Sequence, residues 1–307
     1  METRKIGSLE VSVVGLGCNN FGKRIDEAAT RAVVDASLDA GINFLDTADI
    51  YGGTRSEEFL GRVLGRRRAD VIVATKFGME VDPRRKGAHP DYVRRAAEDS
   101  LRRLGTDYID LYQLHEPDPG VPIADTLGAL DDLVRAGKVR EIGCSNFSPE
   151  QLREAEGAVL NGGARFVSVQ NEYSLLKRDP EGGVLAECER ARLGFLPYFP
   201  LASGLLTGKY RKGQPMPEGT RLSRGSGLAE SVLGDDKVEV VERLVRFAEE
   251  RGHTILELAF SWLLARPVVS SVIAGATKPE QVRGNVAAPN WKLTDDDMAA
   301  IDAILAA

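Results

Sequence analysis

A (β/α)8 TIM barrel, with the whole chain forming a single α/β domain, is the fold class that three observations predict for these 307 residues. Short apolar runs rich in β-branched residues alternate with longer amphipathic stretches, as the strands of a parallel sheet alternate with covering helices. Eight such runs occur, and most are spaced by about one βα unit. No glycine-rich dinucleotide fingerprint follows the first run, which argues against an open doubly wound sheet.

In chain order the predicted strands are Val11 to Gly17, Ile42 to Asp46, Val71 to Lys76, Ile109 to His115, Arg140 to Ser145, Phe166 to Gln170, Phe195 to Leu201 and Ser271 to Gly275. Taking Gly17, Asp46, Lys76, His115, Ser145, Gln170, Tyr198 and Gly275 as strand ends, the intervals are 25–39 residues until the last, which is 77. That long interval contains 204–236, where Pro215, Pro217 and several Gly and Ser residues read as an inserted loop. The first helix starts at Asp26, presents Ala29, Val33, Ala36 and Ala40 on one face, and stops at Gly41. Val93, Ala97, Leu101 and Leu104 line another helix ahead of Gly105. Ser148 with Gln151, Thr254 with Glu257, and Thr294 with Asp297 mark three capped starts.

The fingerprint fails at Gly15-Leu16-Gly17-Cys18-Asn19-Asn20, which has Asn where the third Gly should stand. A phosphate loop fails too: Gly204-Leu205-Leu206-Thr207-Gly208-Lys209-Tyr210 is one residue short and lacks Ser or Thr after the Lys. The 43% hydrophobic and 28% charged residues are those of an ordinary folded protein. A net charge of −6 disfavours a nucleic-acid partner, and Arg66 to Arg68 and Arg84 to Lys86 read as solvated loops. No apolar stretch approaches the roughly 18 residues of a membrane span, and Met1 to Leu9 lacks a signal core, so no membrane partner and a cytoplasmic location are expected. Cys18, Cys144 and Cys188 have no metal-ligand spacing and are expected as small buried hydrophobes.

In a barrel, reactive groups gather at the carboxyl ends of strands. Asp46, Lys76 and His115 each end an apolar run, and Tyr51 follows Asp46 by five residues. Taken singly, each has a bland reading: a turn cap, rim packing, a surface amine, a core imidazole. Together, four titratable groups at one mouth would be costly to bury without a purpose. Lys76 can favour the anion of Tyr51, Asp46 can hold Lys76, and His115 can orient a substrate oxygen. Such a set protonates a carbonyl oxygen while a hydride reaches its carbon.

The chain resembles the aldo-keto reductase superfamily, NAD(P)H-dependent (β/α)8 enzymes, along nearly its whole length. Gly41-Ile42-Asn43-Phe44-Leu45-Asp46-Thr47-Ala48-Asp49-Ile50-Tyr51-Gly52 carries the resemblance, together with Thr75-Lys76, Leu114-His115, Gly143-Cys144-Ser145-Asn146-Phe147 and the run from Pro200 to Lys209. The resemblance makes Asp46, Tyr51, Lys76 and His115 a catalytic tetrad, with Tyr51 as general acid in reduction and general base in oxidation. It implies that Ser145, Asn146 and Gln170 hydrogen-bond a nicotinamide carboxamide and that Tyr198 stacks on the ring. Leu201, Ser203, Gly204, Leu206 and Lys209 match the segment crossing the pyrophosphate. Gly275, Thr277, Lys278, Gln281 and Asn285 match an adenosine 2′-phosphate pocket at a helix start, where free amides attract anions. NADP(H) is the implied cofactor and NAD(H) the second option, since better-known members carry Lys, Arg and Glu where Gly275, Gln281 and Gly284 stand.

The expected substrate is a small carbonyl or alcohol, with Phe21, Tyr51, Phe77 and the 204–236 loop shaping its pocket. Two other classes compete: a cofactor-binding regulatory protein like the superfamily's channel-associated β subunits, and a metal-dependent hydrolase. The three histidines weaken the second, because only His115 ends a predicted strand while His89 and His253 do not. No metal is expected, and the oligomeric state is not readable.

Overall fold

Residues 1–160, 162–211, 214 and 235–306 are described by the structure, a computed structural model. An antiparallel hairpin, β1 (Thr3–Ile6) and β2 (Leu9–Ser12), comes first. The barrel strands follow as β3 (Val14–Gly17), β4 (Phe44–Asp46), β5 (Ile72–Phe77), β6 (Ile109–Leu114), β7 (Val139–Ser145), β8 (Phe166–Glu172), β9 (Gly194–Tyr198) and β10 (Val272–Gly275). All eight are parallel, in the order β10-β3-β4-β5-β6-β7-β8-β9. The open seam is bridged where Phe195 N–H donates to Val268 O at 2.8 Å and Ser270 N–H donates to Phe195 O at 2.9 Å. The expected (β/α)8 barrel is therefore the observed fold.

The hairpin is the main departure at the amino end. The sequence reading merged it with the first barrel strand, but Val11 and Ser12 pair with Arg4 and Thr3, and the barrel strand begins at Val14. Gly7-Ser8 between Ile6 and Leu9, with Gly7 at φ 56°, is the two-residue turn that could have revealed it. Ile6, Leu9 and Val11 form one apolar cluster with Phe44, Ala74, Leu111, Val167, Leu196 and Ile273 from inside six barrel strands. The hairpin thus plugs the amino end of the barrel and leaves the carboxyl end as its mouth.

The helices pack outside: α1 (Glu27–Asp39), α2 (Arg55–Leu64), α3 (Pro90–Leu104), α4 (Ile123–Arg135), α5 (Pro149–Gly157), α6 (Val184–Ala191), α7 (Asp235–Glu249), α8 (Ile255–Leu264), α9 (Pro279–Ala287) and α10 (Asp295–Ala306). Asp26 caps α1 by accepting from Ala29 N–H, as expected. The buried face, however, is Thr30, Val33, Val34 and Ser37, rotated from the alanine stripe because alanines lose little by partial exposure. Ser148–Gln151 and Thr254–Glu257 form complete capping boxes, and Thr294 and Asp297 exchange the same pair of bonds. The predicted 204–236 loop is only partly within the described residues: 212, 213 and 215–234 lie outside them. Its start is a 3-10 turn over Ala202–Thr207, and its end already belongs to α7.

Candidate active site

Four strand ends build the site. Asp46 closes β4, Lys76 lies one residue from the end of β5, Gln113 lies one from the end of β6, and Gln170 faces inward from β8. Lys76, fully buried, donates to Asp46 Oδ2 at 2.6 Å and to Thr47 O at 2.8 Å. Asp46 Oδ1 accepts from Gln170 Nε2 at 2.9 Å and Gln113 Nε2 at 3.3 Å. The carboxylate is thereby fixed on both oxygens, and the ammonium is left one direction to turn.

That direction is Tyr51. The Lys76 ammonium lies 5.2 Å from the Tyr51 ring centroid, close enough for its charge to act on the phenol. Burial alone would strip the Lys76 proton, but Asp46 and Tyr51 together outweigh it and hold the pKa above its ordinary value. The Tyr51 backbone is held by Ser56 N–H donating to Tyr51 O at 3.2 Å. A Cβ at Gly52, where φ is 63°, would sit 2.5 Å from Phe21 O, so only glycine permits this turn.

One expectation about Tyr51 is corrected. Its pKa is raised, not lowered, because burial of the phenol outweighs the pull of Lys76, and Asp46 opposes that pull. The phenol consequently keeps its proton at neutral pH, as a donor must. The Lys76 ammonium is placed where it would stabilise negative charge on the phenol oxygen were that proton to leave.

His115 meets Tyr51 edge-on, with ring centroids 5.8 Å apart. Burial, and then the Lys76 charge, push its pKa down to about 3, so the imidazole is neutral. Nδ1 is buried with no hydrogen-bond partner. An unpartnered acceptor costs less than an unpartnered donor, which favours the proton on Nε2.

These groups open on a cavity of about 550 Å3. Asp46, Tyr51 and His115 line it, as do Ser145, Asn146, Gln170, Tyr198, Leu201, Ser203, Gly204, Lys209, Gly275, Thr277, Lys278, Gln281 and Asn285. Lys76 lies beneath, and Leu206 is buried in the main core away from the lining. Phe21 and Phe77 likewise pack into the core, where apolar contact is greater, rather than shaping the pocket. Sequence reasoning passed over Asn19, Asn20, Arg24, Met79 and Phe199 on the wall and Gln113 below it. Asn19 and Asn20 lie two and three residues past the end of β3, within reach of the strand-end rule that found Asp46. Gln113 was signalled by an amide inside an apolar strand, two residues before His115.

Several cofactor candidates already have protein partners. Ser145 Oγ donates to Gln170 O at 2.6 Å, and Tyr198 OH donates to Asn146 Oδ1 at 2.9 Å. Asn146, at φ 63°, donates through Nδ2 to His115 O at 3.0 Å. Gln281 Oε1 accepts from Thr277 N–H at 2.7 Å at the start of α9. In contrast, Asn20 is 4% exposed and its Oδ1 lacks any partner, leaving a buried acceptor on the wall. Lys209 folds over Gly204, where a Cβ would meet Nζ at 3.1 Å. An acceptor, an aromatic face at Tyr198 and the Lys209 and Lys278 ammoniums together fit a dinucleotide.

Among the described residues no helix is long and apolar enough to cross a membrane, and no group of three or more His, Cys, Asp and Glu is placed to hold a metal. The three cysteines are free and buried, as expected.

Comparison with known proteins agrees with this geometry. The model of the aldo/keto reductase family matches residues 13–306. Over 300 residues the chain is 35% identical to a probable voltage-gated potassium channel subunit beta of Arabidopsis thaliana, covering 94% of this chain and 91% of that protein. It is 34% identical over 306 residues to the aldo-keto reductase YhdN of Bacillus subtilis, covering 97% and 91%. A glycerol dehydrogenase from Gluconobacter oxydans superposes with a TM-score of 0.84 at 32% identity, over 99% of this chain and 95% of that one.

Proposed function

The chain belongs to the aldo/keto reductase family, an oxidoreductase family, and on that premise we propose that it reduces a small aldehyde or ketone to an alcohol, or runs the reverse, with NADP(H) and with NAD(H) as the weaker alternative. The observation that carries the reading is the Asp46–Lys76–Tyr51 chain, with neutral His115 beside it, at the mouth of the cavity. The bound nicotinamide supplies the hydride, which no side chain can.

The protein's own residues do the rest. His115 donates from Nε2 to the carbonyl oxygen and holds it beside the Tyr51 hydroxyl. Tyr51 gives its proton to that oxygen, and Lys76, anchored by Asp46, stabilises the phenolate left behind. Tyr198 offers its ring, braced by Asn146, as the platform for the nicotinamide. Lys209, and Lys278 at the amino end of α9, carry the charge for the phosphates. With no charged side chain at Gly275 or Gln281, Lys278 carries most of the discrimination between the two cofactors.

A panel of aldehydes and ketones with NADPH or NADH, followed at the reduced cofactor's absorbance, tests this. Turnover with NADPH preferred is the expected result. Tight cofactor binding with no turnover on any carbonyl would favour the regulatory role suggested by the channel-subunit relative. Retention of the proton donor and its ammonium favours the enzyme.

A further inference from the structure

Behind the tetrad, outside the cavity lining, lies a second buried group of titratable side chains. Asp49 belongs to the turn between Asp46 and Tyr51, and its N–H donates to Lys76 O at 3.1 Å. Its side chain turns away from the mouth and is 3% exposed. Glu57 of α2 faces it, fully buried, and accepts from Thr75 Oγ1 at 2.5 Å and Arg103 Nε at 2.6 Å. Arg103 of α3 is thus bound to Glu57. From α3 the Tyr92 hydroxyl reaches Asp49 Oδ2 only at 3.5 Å, and Asp49 Oδ1 has no hydrogen-bond partner. The Tyr112 hydroxyl of β6, also near Asp49, is buried without a partner. Lys76 of β5 is committed to Asp46 and Thr47 O on the other side.

Among the described residues, the chamber holds two carboxyl groups and one cation, and that cation is paired with Glu57. An ionised Asp49 would be a second buried anion without its own counter-charge.

We propose that Asp49 is a positioning residue for Tyr51: as a neutral acid it lets the turn carrying Tyr51 lie closed on β5, and on ionisation it loosens that turn. The mechanism used so far leaves this carboxyl idle. Its surroundings bear on it in opposite senses: burial and the charge of Glu57 push its pKa up to about 7, against the pull of Arg103, the Ile50 amide and the Tyr92 hydroxyl. The proton leaves for solvent as pH rises, and no other bond changes. The Asp49 N–H bond to Lys76 O couples that event to the tetrad strand, two residues from the proton donor.

This inference rests on the proposed carbonyl chemistry for its kinetic readout but not for the other two. In an infrared difference spectrum of the protein against Asp49→Asn, a protonated carboxylic acid C=O band should be present at pH 6 and lost by pH 8.5. Amide exchange of residues 47–51, corrected for intrinsic pH dependence, should accelerate over the same range in the protein and stay constant in Asp49→Asn. With an active carbonyl substrate, kcat should fall about tenfold from pH 6 to pH 8.5, and by less than about twofold in the variant. An absent C=O band, or an exchange profile identical in both proteins, overturns the proposal. Absence of any turnover would sink the enzymatic reading, while the infrared and exchange results still decide the role of Asp49. Should Asp49→Asn fail to fold, the band and the exchange profile measured on the unaltered protein decide it.

Discussion

Asp46→Asn isolates the one full counter-charge of a buried ammonium. Lys76 is wholly enclosed and leans on Asp46 Oδ2 at 2.6 Å; an amide there leaves only dipoles, from Thr47 O and the new side chain. Removing one partner of a buried pair costs about 3–5 kcal/mol. The sign with pH follows from what Lys76 does next. In the native protein Asp46 and Tyr51 keep the Lys76 pKa above its ordinary value, so the folded state holds the proton throughout the neutral range and its contribution is lost only above that range. In the variant burial prevails, the folded-state pKa drops below the unfolded one, and the unfolded chain binds the proton better. The variant's deficit should then shrink by about 1.4 kcal/mol per pH unit as pH rises toward the ordinary lysine range. Urea unfolding of both proteins at pH 7 and pH 9 should show a deficit of about 3–5 kcal/mol narrowing to about 1–2 kcal/mol. A deficit under about 1 kcal/mol, or one equal at both pH values, would refute the claim that the pair is a desolvated charge held by its partner.

Further outcomes are expected. Lys278→Met should raise KM for NADPH about tenfold or more and leave KM for NADH within about twofold; equal changes would remove Lys278 from phosphate recognition. The His115 imidazole, with its pKa pushed down to about 3, should show flat NMR shifts from pH 5 to pH 8. A midpoint in that range would assign any neutral-pH kinetic limb to His115 and not to Asp49. Gly61→Ala in α2 should destabilise the protein by about 1–3 kcal/mol, since its Cβ would lie 2.7 Å from Arg103 O and Leu104 O of α3. An unchanged urea midpoint would show that the two helices can separate at no cost.

Strand ends were legible because an apolar run that closes on a titratable residue has few explanations, and Asp46, Lys76 and His115 each stand at or within one residue of a strand end. Tyr51 was found by its spacing from Asp46 within the Thr47–Gly52 turn. The hairpin was hidden because Val11 continues an apolar run into Val14, and periodicity alone cannot see where a chain changes partner. Gln113 and Asn20 escaped for a different reason: their positions in and after apolar strands were signals, but an uncharged amide does not tell whether it holds a neighbour or lines a wall. The acidity of Tyr51 was misjudged because a list of nearby charges omits desolvation, which only a three-dimensional enclosure supplies. Asp49 and Glu57 were unreadable as a pair until α2 and α3 brought Arg103 to one and not to the other.

Single-turnover reduction by Tyr51→Phe tests the central claim most directly. With the best carbonyl from the panel and preformed complex with the reduced cofactor, loss of the phenol hydroxyl should slow cofactor oxidation by about 100-fold or more. Cofactor affinity, measured by quenching of protein fluorescence, should stay within about threefold, because Lys209, Lys278 and Tyr198 are untouched. Oxidation in the variant at a rate within a few-fold of the unaltered protein would contradict the assignment of Tyr51 as proton donor.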